Sequence, residues 1–204
     1  MATTTRVALV GFGAVGRGFS DALLGGSLGD TDVEVVLLAD SSSVAVDDGG
    51  LGLASVRRRK EDEGVVGDGE DTHGALEDTD YDVLVEASPT TLGDAEPAFG
   101  YMMTAIENGA DVVTSNKGPL AMRYGEVMDA AEKAGVEVRM EGTVGGAIPT
   151  INTVRESLAG DDVAGARGIL NGTCNFILTR MLEEGLTYEH VLGEAQDMGI
   201  AESD

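Results

Sequence analysis

Basic residues and aromatic rings are scarce in this sequence. Its 204 residues hold 13 Lys and Arg against 37 Asp and Glu, which gives a formal net charge of −24, and there is no tryptophan. Nucleic acids and anionic membrane surfaces would be repelled by that charge, so neither is expected as a partner. Only three basic residues are lysines, and such an acidic, lysine-poor chain predicts a halophilic source in which concentrated salt screens self-repulsion.

Cysteines and long apolar runs are also lacking. With Cys174 alone, the chain can form neither an internal disulfide framework nor a cluster of thiolate metal ligands, and we expect this cysteine to be a small core residue. No apolar run reaches the roughly 18 residues that span a bilayer. The N-terminus lacks the charged and then apolar layout of a signal peptide. The sequence therefore predicts a cytoplasmic protein.

Glycine is abundant, and its most informative use follows the first apolar segment. The strand-like run Val7 to Val10 leads into Gly11-Phe12-Gly13-Ala14-Val15-Gly16 and then into helix-compatible sequence. In this order Gly11 permits a tight turn, Gly13 lets the backbone approach a pyrophosphate, and Gly16 allows close packing of helix on strand. The motif predicts a dinucleotide cofactor at the N-terminus of the first helix.

Strand and helix patterns alternate along the chain. Apolar runs predict strands at 33–39, 83–87, 112–114 and 136–140, and helical spacing appears in Ala98, Met102, Ala105 and Ile106 and again in Val127, Met128, Ala131 and Ala134. Alternation of this kind predicts an α/β fold with a doubly wound, parallel, Rossmann-type sheet. We expect a dinucleotide-binding domain over 1–135 and the start of an α+β substrate and dimerisation domain over 136–204. Residues 41–80 are predicted to be a surface excursion with a short helix around 53–60.

The choice between NAD and NADP stays open on the sequence. Asp40 ends the second predicted strand, where an acidic side chain can accept a hydrogen bond from the ribose 2′-hydroxyl of NAD. The one dense basic cluster, residues 57–60, could instead hold the 2′-phosphate of NADP. A solvated helix face that pairs with Glu61 and Glu63 explains the same cluster equally well.

Four further segments carry a resemblance to a known family. Together with the glycine motif, the chain from Arg6 to Asp204 resembles homoserine dehydrogenase through 115–119 (SNKGP), 141–149 (EGTVGGAIP), 168–178 (GILNGTCNFIL) and 194–204 (EAQDMGIAESD). The resemblance implies NAD(P)-dependent interconversion of L-homoserine and L-aspartate 4-semialdehyde in threonine and methionine biosynthesis. It also implies a homodimer.

The resemblance further implies roles for individual residues. Phe12, Ala14 and Val15 would line the pyrophosphate, and the remaining cofactor contacts would come from Thr114, Ser115, Lys117 and Gly199. Gly172 and Thr173 would border the substrate, while Glu202 would hold its amino group, since an ammonium needs an ionised acceptor. Lys117 would be the basic residue of the active site, either polarising the aldehyde or holding the substrate carboxylate.

A sodium site is implied in the same way. The matching positions are Glu141, Val144, Gly146 and Ile148, which would bind the ion mainly through backbone oxygens. Hard cations take oxygen ligands, and glycines expose carbonyl groups well. On physical grounds alone, the same segment could equally be a tight turn.

The sequence departs from the family at its end. Homoserine dehydrogenases continue into a catalytic aspartate and a proton-donating lysine, and these would lie beyond Asp204. A fragment of a longer protein is the simplest expectation, since loss of a positioned proton donor typically lowers the rate by about 10² to 10⁴. Two alternatives remain: a non-catalytic NAD(P)-binding module, and a related amino-acid dehydrogenase such as aspartate dehydrogenase.

Overall fold

The structure, a computed structural model, describes residues 4–26, 29 and 31–201. The chain divides into two compact units, a larger one that ends at Gly146 and a smaller one that begins at Ala147. This division falls later than the domain boundary expected after residue 135.

A six-stranded sheet forms the centre of the larger unit. Its strands are β1 (Thr5–Val10), β2 (Val33–Ala39), β3 (Val44–Val46), β4 (Val83–Glu86), β5 (Asp111–Thr114) and β6 (Val138–Arg139). They are arranged in the order β3-β2-β1-β4-β5-β6, and every neighbouring pair is parallel except β2 and β3. The predicted Rossmann-type α/β fold is therefore confirmed, with one antiparallel edge strand.

Five helices connect these strands. They are α1 (Ala14–Leu24), α2 (Leu53–Glu63), α3 (Thr72–Asp78), α4 (Ala98–Glu107) and α5 (Lys117–Ala134), the last with non-helical backbone angles at Arg123. The helical spacing around residues 98–106 and 127–134 thus predicted α4 and the second half of α5. Among the helices that the structure describes, none is long and apolar enough to cross a membrane.

The segment 41–80 is more ordered than the sequence suggested. It contains strand β3 and helix α3, neither of which was predicted, beside the helix expected near residue 53. The chain reverses directly after β2, because the Asp40 amide donates to the carbonyl oxygen of Ser43 at 2.9 Å. A strand only three residues long at a sheet edge has too few side chains to show a period, so its sequence carries no signal.

One part of the core of the larger unit lies around β1 and β2, and another around β4, β5 and the helices α4 and α5. Val35 to Ala39 are all buried, as expected for a strand covered on both faces. Buried and more exposed residues alternate in β4 and β5, and Val113 is 42% exposed. Within the described residues, this half of the sheet is thus covered more fully on one face than on the other.

The smaller unit contains a π-helical turn (Thr153–Ser157) and two helices, α6 (Gly172–Glu184) and α7 (Tyr188–Asp197). The helices pack around Ile177, Val191 and Ala195. Cys174 was expected in the core, but it is exposed. It lies in the first turn of α6, where its amide is held by the Asn171 side chain, so position in the helix outweighs the usual burial of cysteine.

A glycine inside α5 and the glycine that caps its C-terminus give opposite predictions for substitution by alanine. Gly125 is an exposed interior residue with open space around its Cα, so Gly125→Ala should raise the free energy of unfolding by about 0.5–1 kcal/mol. Gly135 caps the C-terminus of α5 at φ +74°, a left-handed conformation that is strained for alanine. Gly135→Ala should therefore lower the free energy of unfolding by about 1–2 kcal/mol. Urea unfolding in molar KCl measures both, and equal effects of the two substitutions would contradict this description of α5.

Candidate functional site

The turn after β1 is built on backbone contacts that leave no room for side chains. Gly11 has φ +99°, and a Cβ atom there would lie 2.3 Å from the backbone of Ala87, just after β4. A Cβ on Gly16 would lie 1.9 Å from the Gly11 carbonyl oxygen. Because these distances are far below van der Waals contact, only glycine allows α1 to approach the end of β1 this closely.

The N-terminus of α1 is open to a ligand. Its N-cap residue, Gly13, has no side chain to accept a hydrogen bond from the first turn, and no atom lies within 4 Å of the position of a Cβ there. Free amide groups and the positive end of the helix dipole therefore face open space. This is the arrangement that binds pyrophosphate in dinucleotide-binding folds, so the residues present fit such a group.

The three residues expected beside the pyrophosphate differ in their exposure. Ala14 is exposed and Val15 is 55% exposed in the first turn of α1. The side chain of Phe12 is instead buried in the core with Val7 and Leu9. Any contact of Phe12 with a cofactor would thus come from its backbone.

Asp40 lies at the carboxyl end of β2, and its carboxylate already has several partners. Oδ1 accepts hydrogen bonds from the amides of Ser42 and Ser43, both at 2.9 Å, and from both hydroxyl groups at 3.1 Å. Oδ2 forms an ion pair with Lys60 Nζ at 2.6 Å, and the Asp40 side chain is only 7% exposed. Burial raises the pKa of Asp40, but Lys60 and the serine donors outweigh burial and hold the pKa below its ordinary value.

The basic cluster on α2 is paired mainly with carboxylates. Arg57 forms ion pairs with Asp21 and Glu61, and Arg59 with Glu63 and Asp68. The pairs with Glu61 and Glu63 are those of a solvated helix face. Lys60 differs, because its partner Asp40 lies at the expected ribose position.

A second polar group lies at the carboxyl ends of β4 and β5. The Glu86 carboxyl group is 1% exposed, and it accepts hydrogen bonds from the Ser88 amide at 2.9 Å, the Ser88 hydroxyl and the Thr114 hydroxyl at 3.2 Å. Burial raises the pKa of Glu86, and the hydrogen bonds from Ser88 and Thr114 oppose that effect. Thr114 was predicted as a site residue from the sequence, whereas Glu86 and Ser88 were not.

Lys117 begins α5, directly after this polar group. The preceding Asn116 caps the helix through its Oδ1, which accepts from the Gly118 amide at 3.0 Å. Lys117 itself is exposed. Since the carboxyl ends of parallel strands share one sheet edge, Thr114, Ser115 and Lys117 lie on the same edge as the glycine turn.

The sequence carries a signal for Glu86, because a carboxylate interrupts the apolar run that predicts a strand over 83–87. A charged group in a buried strand is costly unless hydrogen bonds satisfy it. Its presence at the end of β4 could have indicated a polar network at that edge.

The four positions expected to bind sodium are divided between the units. Glu141 opens a short 3-10 helix (Glu141–Thr143), Val144 follows it, and Gly146 has φ +62°, all in the larger unit, whereas Ile148 belongs to the smaller one. Within the described residues, no group of three or more His, Cys, Asp or Glu side chains could hold a metal ion. The sodium site depends on backbone oxygens, so it stays a prediction.

The smaller unit brings three of its predicted substrate and cofactor residues, Gly172, Thr173 and Gly199, into one region. The Thr173 hydroxyl, next to Gly172, donates to the carbonyl oxygen of Ile200 at 2.8 Å, and Ile200 follows Gly199, which has φ +69°. The N-terminus of α6 is therefore tied to the segment after α7. Glu202 lies outside the described residues.

Comparisons with known proteins agree with this geometry. Residues 11–141 match the family model described as "Homoserine dehydrogenase, NAD binding domain", and residues 149–204 match the one described as "Homoserine dehydrogenase". The homoserine dehydrogenase of Methanocaldococcus jannaschii is 40% identical over 208 residues, with 97% of this chain and 62% of the relative covered. The NAD(+)-dependent homoserine dehydrogenase of Pseudomonas canavaninivorans is 34% identical, with 99% and 60% covered.

Solved structures give the same result. Homoserine dehydrogenase from Thermoplasma acidophilum superposes with a TM-score of 0.82 at 29% identity, with 99% of this chain and 63% of that chain covered. A hyperthermophilic archaeal homoserine dehydrogenase in complex with NADPH superposes with a TM-score of 0.79 at 27% identity and the same coverage. The chain thus spans about three fifths of the length of these relatives.

The ion pair of Asp40 with Lys60 gives a prediction about stability and pH. Asp40→Asn should lower the free energy of unfolding by about 1–2 kcal/mol at pH 7, because the Lys60 ammonium loses a charged acceptor. The folded-state pKa of Asp40 is depressed, so the stabilisation is present above about pH 4 and is lost as the pH falls further. The difference between wild type and variant, measured by urea unfolding, should narrow below pH 4.

A matched control is Asp62→Asn on α2, an exposed residue that removes the same charge. It should change the free energy of unfolding little at either pH. An equal effect of the two substitutions would contradict the description of the Asp40 pair.

Proposed function

Because the chain belongs to the homoserine dehydrogenase family, we propose that it takes part in the NAD(P)-dependent interconversion of L-homoserine and L-aspartate 4-semialdehyde, a step towards threonine and methionine. The observation that carries the proposal is the carboxyl edge of the sheet. It combines a glycine turn and an open helix N-terminus after β1 with an exposed lysine after β5. Such an edge is where open α/β sheets bind dinucleotides and carry out their chemistry.

The cofactor would lie along this edge in an order set by the strands. Gly11, Gly13 and Gly16 would shape the turn beneath the pyrophosphate, and the amides of the first turn of α1 would donate to it. The adenosine ribose would lie near Asp40 and the nicotinamide half near Thr114 and Ser115. When bound, the nicotinamide would supply hydride exchange with the carbonyl carbon of the substrate.

Lys117 would act on the substrate. It is one of three lysines in a chain with a formal charge of −24, and it projects from the first turn of α5. A fixed ammonium there could hold the substrate carboxylate or stabilise negative charge on the reacting oxygen. An exposed position fits a side chain that has to meet a ligand.

From the family resemblance, Gly172, Thr173 and Glu202 would contact the substrate, and Gly199 would contact the cofactor. The hydrogen bond of Thr173 to Ile200 supports a common role for the start of α6 and the segment after α7. Glu202, two residues further on, would accept from the substrate ammonium. Ionised pairs of this kind are shorter and stronger than neutral hydrogen bonds.

The geometry favours use of both cofactors. The Asp40 carboxylate is neutralised by Lys60, so the ribose position has one anion and one cation close together. NAD would donate its 2′-hydroxyl to the carboxylate in place of one of the serine hydroxyls on Oδ1, and the 2′-phosphate of NADP would take Lys60 as a counterion. An unpaired aspartate would repel that phosphate.

The cellular environment, the bound ion and the oligomeric state of the enzyme are proposed from its charge and from the family resemblance. The excess of 37 acidic over 13 basic residues supports a halophilic, salt-rich cytoplasm. Sodium at the 141–148 segment and a homodimer are expectations from the family resemblance.

The test is homoserine-dependent formation of NADH and NADPH in molar KCl by the natural polypeptide that carries these residues, with aspartate as the competing substrate. We expect turnover with homoserine, with Lys117→Met lowering kcat/KM by about 10² to 10³ through loss of a positioned cation. Lys133→Met makes the same change at the other end of α5, where the lysine is exposed, and should stay within about twofold.

Three results would contradict the proposal. Turnover with aspartate in place of homoserine would favour an aspartate dehydrogenase. Tight NAD(P)H binding without any turnover would favour a non-catalytic binding module. Equal loss of activity in the two lysine variants would remove the role proposed for Lys117.

A further inference from the structure

Glu86 is a buried carboxyl group without a cation beside it. It ends β4, it is 1% exposed, and among the described residues it forms no ion pair. Burying such a group is costly unless hydrogen bonds compensate. The three that it accepts come from Ser88 and Thr114, the residues that leave β4 and end β5.

The bond from Thr114 joins the ends of two neighbouring strands, since Glu86 and Thr114 are register partners in β4 and β5. The Thr114 hydroxyl donates to Glu86 Oε2 and accepts from the Asn116 amide at 3.0 Å, so it links Glu86 to the turn after β5. The backbone repeats the link, because the Ser115 amide donates to the Glu86 carbonyl oxygen at 3.1 Å. The carboxyl group of Glu86 therefore helps to hold the backbone of residues 114–116 in place at the end of β5.

Asn116 connects this hydrogen-bonded group to the start of α5. Its Nδ2 donates to the Ser88 carbonyl oxygen at 3.2 Å and to the Pro89 carbonyl oxygen at 3.3 Å, while its Oδ1 caps the helix at Gly118. A Cβ on Gly118 would lie 2.4 Å from the Thr91 carbonyl oxygen, so the helix start also lies directly on the loop after β4. Lys117 stands between Asn116 and Gly118 and shares their placement.

We infer that Glu86 is a positioning residue, whose carboxyl group holds the 114–117 turn in the shape that receives the nicotinamide half of the dinucleotide. The inference rests on the proposed function, which assigns that turn to the nicotinamide side. The pyrophosphate cradle at α1 takes its shape from Gly11, Gly13 and Gly16; Gly11 packs on the backbone of Ala87 and Ser88, but the hydrogen bonds of the Glu86 side chain go to Ser88 and Thr114 and not to the cradle. Loss of the carboxyl group should therefore weaken contacts to one half of the cofactor only.

Binding of two ligands, NADH and ADP-ribose, tests the two halves of the cofactor site separately. ADP-ribose contains the adenosine and pyrophosphate groups of NADH but no nicotinamide, so its affinity reports on the α1 cradle alone. Binding of each ligand to the full 204-residue chain is measured by calorimetry in molar KCl. The ratio of the two dissociation constants is the readout, and a general loss of stability would not change it.

Three substitutions separate length from charge. Glu86→Gln keeps the length and one acceptor oxygen for Ser88, and its amide NH2 can donate to the Thr114 hydroxyl where the carboxylate accepted. Glu86→Asp keeps the charge but is too short to reach Thr114, and Glu86→Ala removes both length and charge. We expect Glu86→Gln to stay within about threefold of wild type for both ligands. Glu86→Asp and Glu86→Ala should bind NADH at least about tenfold more weakly, since buried donors lose their acceptor, while ADP-ribose binding is unchanged.

Val112→Ala is the matched control. Val112 is fully buried in β5 next to the same strand, and its truncation leaves a cavity without touching the polar group. It should lower stability and leave the ratio of dissociation constants as in wild type. It also shows how much stability the chain can lose before binding is affected.

The outcomes distinguish a failure of the inference about Glu86 from a failure of the proposed function. If Glu86→Asp and Glu86→Ala weaken both ligands equally, or neither, the positioning role is overturned while cofactor binding stands. The same holds if Glu86→Gln is as impaired as Glu86→Ala, because charge rather than hydrogen-bond geometry would then be responsible. If wild type binds neither NADH nor ADP-ribose, the cofactor assignment fails, and the inference fails with it.

Discussion

The close approach of three backbone segments at the end of β1 is the constraint on which the rest of the site depends. Gly11 turns against Ala87, and α1 begins against Gly11, at distances that no Cβ atom could tolerate. The helix N-terminus is consequently held at the sheet edge with its amides free. From there, the parallel order of the strands brings Asp40 to one side and Thr114 and Lys117 to the other.

Local electrostatics at this edge differ from those of the whole chain. A protein with a formal charge of −24 must attract an anionic dinucleotide, and the means are neutral amides, a helix dipole and two lysines. Lys60 offsets Asp40, and Lys117 stands in the turn that Glu86 holds. Concentrated salt would screen the long-range repulsion while leaving contacts at hydrogen-bond distance largely intact. The acidic surface and the anion site are therefore compatible.

Long, strongly patterned segments were predictable from the sequence, and short or networked ones were not. Residues 33–39 form a strand with the predicted bounds because six of the seven residues are apolar, and such a run has few alternatives. Strand β3 and helix α3 depend on tertiary contacts, such as the bridge of Val44 to Gly69, which no local pattern encodes. The glycine turn and Lys117 were found from motif and resemblance. A carboxylate in a buried strand indicated a polar network at Glu86, whereas the role of Asn116 arises only when the loops after β4 and β5 meet.

The most direct test of the central claim is a crystal structure of the chain grown with NADPH in molar salt. The account predicts pyrophosphate oxygens about 2.7–3.2 Å from the amides of Ala14 and Val15, with the ribose of the adenosine beside Asp40 and Lys60. The nicotinamide should lie towards Thr114. A dinucleotide bound with its pyrophosphate away from the N-terminus of α1, or with the two halves exchanged, would contradict it.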